Sequence, residues 1–303
     1  MYFWVQQNLE DMRKFKTTIL VALLSIICFH LKSQEPGLNI RVVGKGQPVV
    51  LIPGLTCSGE VWDSTIEALD ANFEYHIITL PGFAGNAPLA DHEGKYLAKM
   101  KDEVVKYIQK EKLKKPIIIG HSLGGFLALN IGIQNPDLPS KLVIVDALPF
   151  MTGVMMPGMT AEEAKPMAKS MKTQVVASAS QPLEGRKAYQ RQMLTSMIND
   201  PAQIEIATQW AIDSDQETVG ESMYEMYTTD IRGELGKIKA PTLVLGAWVA
   251  YKSFGSTRES TLKLYTDQYA NLKGVKVDMT DIGNHFIMWD DPEFFQNWLK
   301  KFL

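Results

Sequence analysis

Apolar residues in this chain follow two rhythms. Short, nearly unbroken runs rich in valine, isoleucine and leucine recur at 38–43, 48–52, 76–80, 116–119, 141–145, 241–245 and 275–279, as expected of strands buried on both faces. Between several of them the spacing changes to that of helices. Val61, Ile66 and Leu69 share one face of 60–69, and Leu97, Met100, Val104, Tyr107 and Ile108 recur through 93–112 with lysines between them. A last helix is predicted over 292–302. Strands alternating with helices predict an α/β fold, a mostly parallel central sheet with helices on both faces.

The alternation breaks once. About 95 residues separate the strand ending at Val145 from the one beginning at Pro241, far more than a loop needs. Helical spacing at 161–171, 186–197, 201–212 and 218–227 predicts a helical cap, 147–236, inserted into a core made of 34–146 and 237–303. Ten of the fifteen methionines fall in the insertion. Methionine is unbranched and adaptable, so these side chains either wall an apolar pocket or fill a loosely specified helical interior.

Composition narrows the partners. With 303 residues, 46% hydrophobic, and a formal net charge of −3, the chain can bury one sizeable core, and nothing in it calls for nucleic acid. Residues 17–29 form an apolar stretch preceded by Arg13, Lys14 and Lys16 and followed by Leu31-Lys32-Ser33. That is the layout of a signal peptide over 1–33, removed on export to the periplasm or the extracellular space. The stretch is shorter than the roughly 20 residues of a bilayer span. Met12 competes with Met1 as the start. Of the two cysteines, Cys28 would leave with the leader, so no intramolecular disulfide is expected. Ser25-Ile26-Ile27 argues against lipidation of Cys28.

The chemistry centres on Gly120-His121-Ser122-Leu123-Gly124-Gly125, which follows the run ending at Ile119 and opens an apolar helical stretch. Strand, G-x-S-x-G turn and helix make a nucleophile elbow. A serine hydroxyl is a weak nucleophile, so it must be held where a base can reach it and where amide N–H groups can meet the oxyanion. The base follows nearly by elimination among five histidines. His30 lies in the leader, His76 opens a strand, His92 lies in a charged loop and His121 belongs to the elbow. His285 remains, in a loop after the last predicted strand. Cys57 reads either as a second nucleophile or as a small packing residue, and no histidine near it in sequence favours the first.

With an elbow, a terminal histidine loop and an inserted cap, residues 38–303 resemble the capped, single-domain serine esterases of the α/β-hydrolase fold. The resemblance implies an oxyanion hole from the backbone N–H groups of Leu123 and Leu55, the latter after Pro53, where relatives usually carry histidine. It also exposes a departure. Relatives usually place the acid after the strand that follows the cap, but Gly246-Ala247-Trp248-Val249-Ala250-Tyr251 holds no carboxylate. Asp146, at the end of 141–145, is the first replacement, as in some members of the superfamily. Glu259, in a long loop after Leu245, is the second, and a serine–histidine dyad is the third. Phe150, Trp248 and Tyr251 are expected to border the substrate.

The resemblance implies a serine hydrolase that cleaves carboxylic esters, carboxylesterase- or lipase-like, through an acyl-enzyme on Ser122. The partner is a small ester with apolar character, and no metal or organic cofactor is called for. A lactonase, a C–C bond hydrolase of the same fold and a ligand-binding member that has lost catalysis are the alternatives. Haloalkane dehalogenase chemistry is disfavoured because it needs a carboxylate at position 122. The oligomeric state is left open.

Overall fold

A computed structural model describes residues 37–69, 72–91 and 93–303. Residues 1–33, over which a leader is expected, lie outside the described residues with Cys28 and His30, as does His92. Among the described residues no helix is long and apolar enough to cross a membrane.

Among the described residues seven strands form one sheet in the order β1-β3-β2-β4-β5-β6-β7. They are β1 (Asn39–Gly44), β2 (Gln47–Ile52), β3 (Phe73–Thr79), β4 (Ile117–His121), β5 (Lys141–Val145), β6 (Thr242–Gly246) and β7 (Lys276–Met279). Only β1 runs antiparallel, along β3. Alternate residues of each strand face opposite layers. Val50, Ile52, Ile118, Ile144 and Val244 face one layer with Met100, Val104, Leu127 and Ile131. Val49, Leu51, Ile117, Ile119, Val143 and Leu245 face the other with Trp62, Phe295 and Leu299.

The helices are α1 (Asp63–Ala68), α2 (Tyr96–Lys110), α3 (Leu123–Gln134), α4 (Thr152–Met155), α5 (Ala161–Ser178), α6 (Leu183–Leu194), α7 (Pro201–Asp213), α8 (Gln216–Thr228), α9 (Arg258–Gln268), α10 (Ile287–Asp290) and α11 (Pro292–Phe302). Helices α4 to α8 all fall between β5 and β6. Within that insertion α5 packs along α8 and α6 along α7. Local chemistry fixes their starts: Thr160 and Glu163 make a reciprocal capping box for α5, while Asp200 and Asp215 cap α7 and α8.

Helix α9 corrects the sequence reading, which had a long loop there. Its buried face is Thr261, Tyr265 and Gln268, spaced as a helix requires but built from polar residue types, so apolar periodicity misses it. Its capping box pairs Thr257 with Ser260, where the recognisable pattern ends in Glu or Gln.

The topology dictates where a site can form. The chain lays β1 and β3 to one side of β2 and β4 to β7 to the other, so the strand order reverses between β2 and β4. In open α/β sheets ligands bind at the carboxyl ends of the strands beside such a switch point. The segments after Ile52 and after His121 meet there.

Candidate active site

Ser122 stands between β4 and α3 at φ 53°, ψ −118°, a region that a residue with a side chain rarely occupies and that costs about 1–3 kcal/mol. The surroundings hold it there. Its N–H donates to Val145 O at 2.9 Å, extending the ladder to β5. A Cβ at Gly120 would overlap Gly124 O, and one at Gly124 would overlap Ile52 O and Pro53 O. Both glycines of the G-x-S-x-G turn are therefore demanded by close backbone approach.

Asp146 directly follows β5, also at positive φ (44°), and is 5% exposed. Its Oδ1 accepts from Ala247 N–H at 2.8 Å and from the Tyr265 hydroxyl at 2.6 Å. Its Oδ2 lies 2.6 Å from His285 Nδ1. Burial, with the charge of Asp146 next, pushes the Tyr265 phenol well above its usual range, so it remains a donor. Glu259 lies elsewhere, exposed in the first turn of α9, where backbone N–H at its own position and the Thr257 hydroxyl hold its carboxyl below the usual range.

The loop carrying His285 is tied at several points. Thr280 Oγ1 accepts from Gly283 N–H at 2.9 Å and donates to Asp291 Oδ2 at 2.6 Å. Asn284 N–H donates to Asp290 Oδ2 at 2.9 Å, and Asn284 Nδ2 donates to Asn199 Oδ1 at 2.8 Å. The insertion thus helps to place the imidazole.

His121, set aside in the sequence as part of the elbow, joins the pieces. Its ring lies 4.6 Å from that of His285 and 4.7 Å from Phe286, centroid to centroid. Burial, with the neighbouring His285 next, holds it well below the usual imidazole range, so it is neutral. Its Nε2 is 3.0 Å from His285 O, which assigns the proton to Nε2 and leaves Nδ1 a bare acceptor. Nδ1 has no partner among the described residues. A Cβ on Gly54 would stand 2.9 Å from that nitrogen and 3.3 Å from Ser122 Cβ. The loop after β2 therefore lies directly against the elbow.

That loop carries Leu55, between Gly54 and Thr56 at φ 63°. No backbone carbonyl accepts from Leu55 N–H among the described residues. Leu123 N–H, at the first position of α3, has no acceptor within its helix. Ser122 Oγ and His285 Nε2 likewise form no protein hydrogen bond among the described residues. Cys57 is buried, and desolvation pushes its thiol up to about 12, the state of an inert packing residue. His76 is engaged by Tyr107 at 2.7 Å and Glu74 at 3.0 Å.

A pocket opens beside Ser122, lined also by Phe126, Ala147, Leu148, Met151 and Met226. Phe150 is not part of its lining. It is fully buried, with the Arg232 guanidinium 4.8 Å above its ring. Trp248 and Tyr251 also stand outside this lining, Trp248 packed against the core. Tyr251 is 50% exposed.

Residues 49–297 match the model of the Alpha/beta hydrolase family. The chain belongs to that family. This hydrolase is 26% identical over 205 residues to a pimeloyl-(acyl-carrier protein) methyl ester esterase of Vibrio atlanticus, covering 68% of this chain and 77% of the relative. It is 34% identical over 112 residues to the protein of the same name from Vibrio parahaemolyticus, where the match covers 37% of this chain and 41% of the relative. Its fold is similar to that of an esterase from Exiguobacterium antarcticum, with a TM-score of 0.69, 18% identity, and coverage of 88% and 94% of the two chains.

Proposed function

We propose that this hydrolase cleaves carboxylic esters through an acyl-enzyme on Ser122, with His285 as the base and Asp146 as its orienting acid. The observation that carries the reading is the 2.6 Å pair between Asp146 Oδ2 and His285 Nδ1, with the imidazole packed at a tilt against His121, the residue that precedes the elbow serine. The names of the similar proteins, methyl ester esterases and an esterase, support the same reaction class.

The steps follow from the atoms. The reaction needs Ser122 Oγ within hydrogen-bond reach of His285 Nε2, a contact of the kind that often closes only with substrate bound. Oγ attacks the ester carbon as its proton passes to Nε2, and the carbonyl π electrons move to oxygen. Leu55 and Leu123 N–H groups meet that oxyanion. Collapse re-forms the carbonyl and breaks the bond to the alcohol oxygen, which takes the proton from Nε2. Water then attacks the acyl-enzyme with His285 again as base, releasing the acid and restoring Ser122. Nδ1–H stays on Asp146 throughout, which fixes the tautomer and stabilises the imidazolium.

A fluorophosphonate should label the folded protein at Ser122, and Ser122→Ala should lose both the label and turnover of p-nitrophenyl butanoate. Turnover surviving in Ser122→Ala would place the nucleophile elsewhere. The leader-like 1–33 supports export, and a mature N-terminus near residue 34 in periplasmic or culture-fluid protein is the corresponding observation.

A further inference from the structure

The pocket beside Ser122 says which esters fit, given the hydrolase reading above. Its fixed walls are Phe126 of α3 and Ala147 and Leu148 after β5, all nearly buried. Ala147 cannot retreat: Tyr269 hydroxyl donates to its carbonyl at 2.8 Å, and its Cβ occupies the space that a Cβ on Gly125 would need. The remaining walls, Met151 and Met226, come from the insertion.

The two methionine segments are tied to each other and to the core. Thr152, next to Met151, donates its hydroxyl to Tyr227 O at 2.7 Å, next to Met226. Glu225, on the other side of Met226, accepts Tyr96 N–H at 2.6 Å and Leu97 N–H at 3.0 Å at the start of α2. The backbones under both methionines are thus anchored while their side chains stay pliable. Apart from the Ser122 hydroxyl, no lining side chain offers a polar partner, so a charged substrate terminus would be desolvated here without compensation.

We propose that one arm of the ester is a short, uncharged hydrocarbon chain seated in this pocket, and that Met151 and Met226 set its length. Two series test this: p-nitrophenyl alkanoates of increasing acyl length and alkyl butanoates of increasing alcohol length. In one of them kcat/KM should pass through a maximum and fall at longer chains, and that series identifies the arm. A terminal carboxylate on a chain of allowed length should abolish the gain from chain length.

Met226→Ala should move the break outward, raising kcat/KM for the first ester beyond it by about tenfold or more. Met226→Phe should move it inward, and Met151→Ala outward. Fluorophosphonate titration of Ser122 normalises each variant to its folded sites, and Met226→Leu serves if the alanine variant does not fold. Two results overturn the proposal: no break in either series, or a break that stays put in every Met226 and Met151 variant with Ser122 still labelled. A wild-type protein that fails to label overturns the hydrolase reading itself.

Discussion

Replacing Tyr265 with phenylalanine removes a single O–H from the site and leaves the ring that fills the core. In the native protein Asp146 Oδ1 takes that O–H at 2.6 Å and Ala247 N–H at 2.8 Å, while Oδ2 faces His285 Nδ1 at 2.6 Å. With the carboxylate 5% exposed, water cannot readily replace the lost donor. A hydrogen bond to a buried charge is worth about 1.5–3 kcal/mol, and Tyr265→Phe should lose about that much in urea unfolding at neutral pH. Activity should respond differently. Ala247 and His285 still orient the carboxylate, so kcat should stay within about tenfold of wild type. The assays are urea unfolding and kcat/KM for p-nitrophenyl butanoate, both at neutral pH, on the two proteins. Unchanged stability would show that Tyr265 does not serve Asp146. A collapse of kcat as deep as that of Asp146→Asn would show that Tyr265 does far more than position the acid.

Asp146→Asn should fold but lose about three to four orders of magnitude in kcat/KM, because the amide favours the wrong tautomer and offers no countercharge; Glu259→Gln should stay within about twofold of wild type, and the reverse ranking would make Glu259 the acid. Glu225 supplies a stability prediction with a definite sign. Burial raises its carboxyl from 4.5 to about 7, so its favourable contribution is full below about pH 4.5 and is lost as pH rises through about 7, at most about 3 kcal/mol. The unfolding free energy of wild type minus that of Glu225→Gln should fall between about pH 5 and 8, and a difference constant with pH would contradict it.

The parts legible in the sequence are those whose signal is local. Three consecutive isoleucines at 117–119 are buried whichever way a strand turns them, so β4 and its neighbours emerge within a residue or two of their bounds. The turn at Ser122 announces itself because its two glycines sit where backbones touch, and Pro292 marks the start of α11 at the first helical position. What stayed hidden depends on tertiary contact. Tyr265 reaches Asp146 from a helix whose buried face is Thr, Tyr and Gln, so neither the helix nor the contact shows in an apolar pattern. His121 is one residue from Ser122 in sequence, but its bond to His285 O joins positions 164 apart. Phe150 follows β5 closely enough to suggest the pocket, yet its ring turns toward Arg232, a choice made by the insertion's return path. Met151 and Met226 were visible only as two among ten methionines, with no local mark to single them out.

The claim that everything else rests on is that Ser122 carries the acyl group in turnover. Mixing the protein with p-nitrophenyl butanoate, quenching in acid within the first turnovers and mapping the peptides by mass spectrometry tests it directly. A butanoyl group is expected on the peptide containing Ser122, formed in wild type and absent in His285→Ala. Steady turnover with no such adduct, or an adduct on another residue, would contradict it.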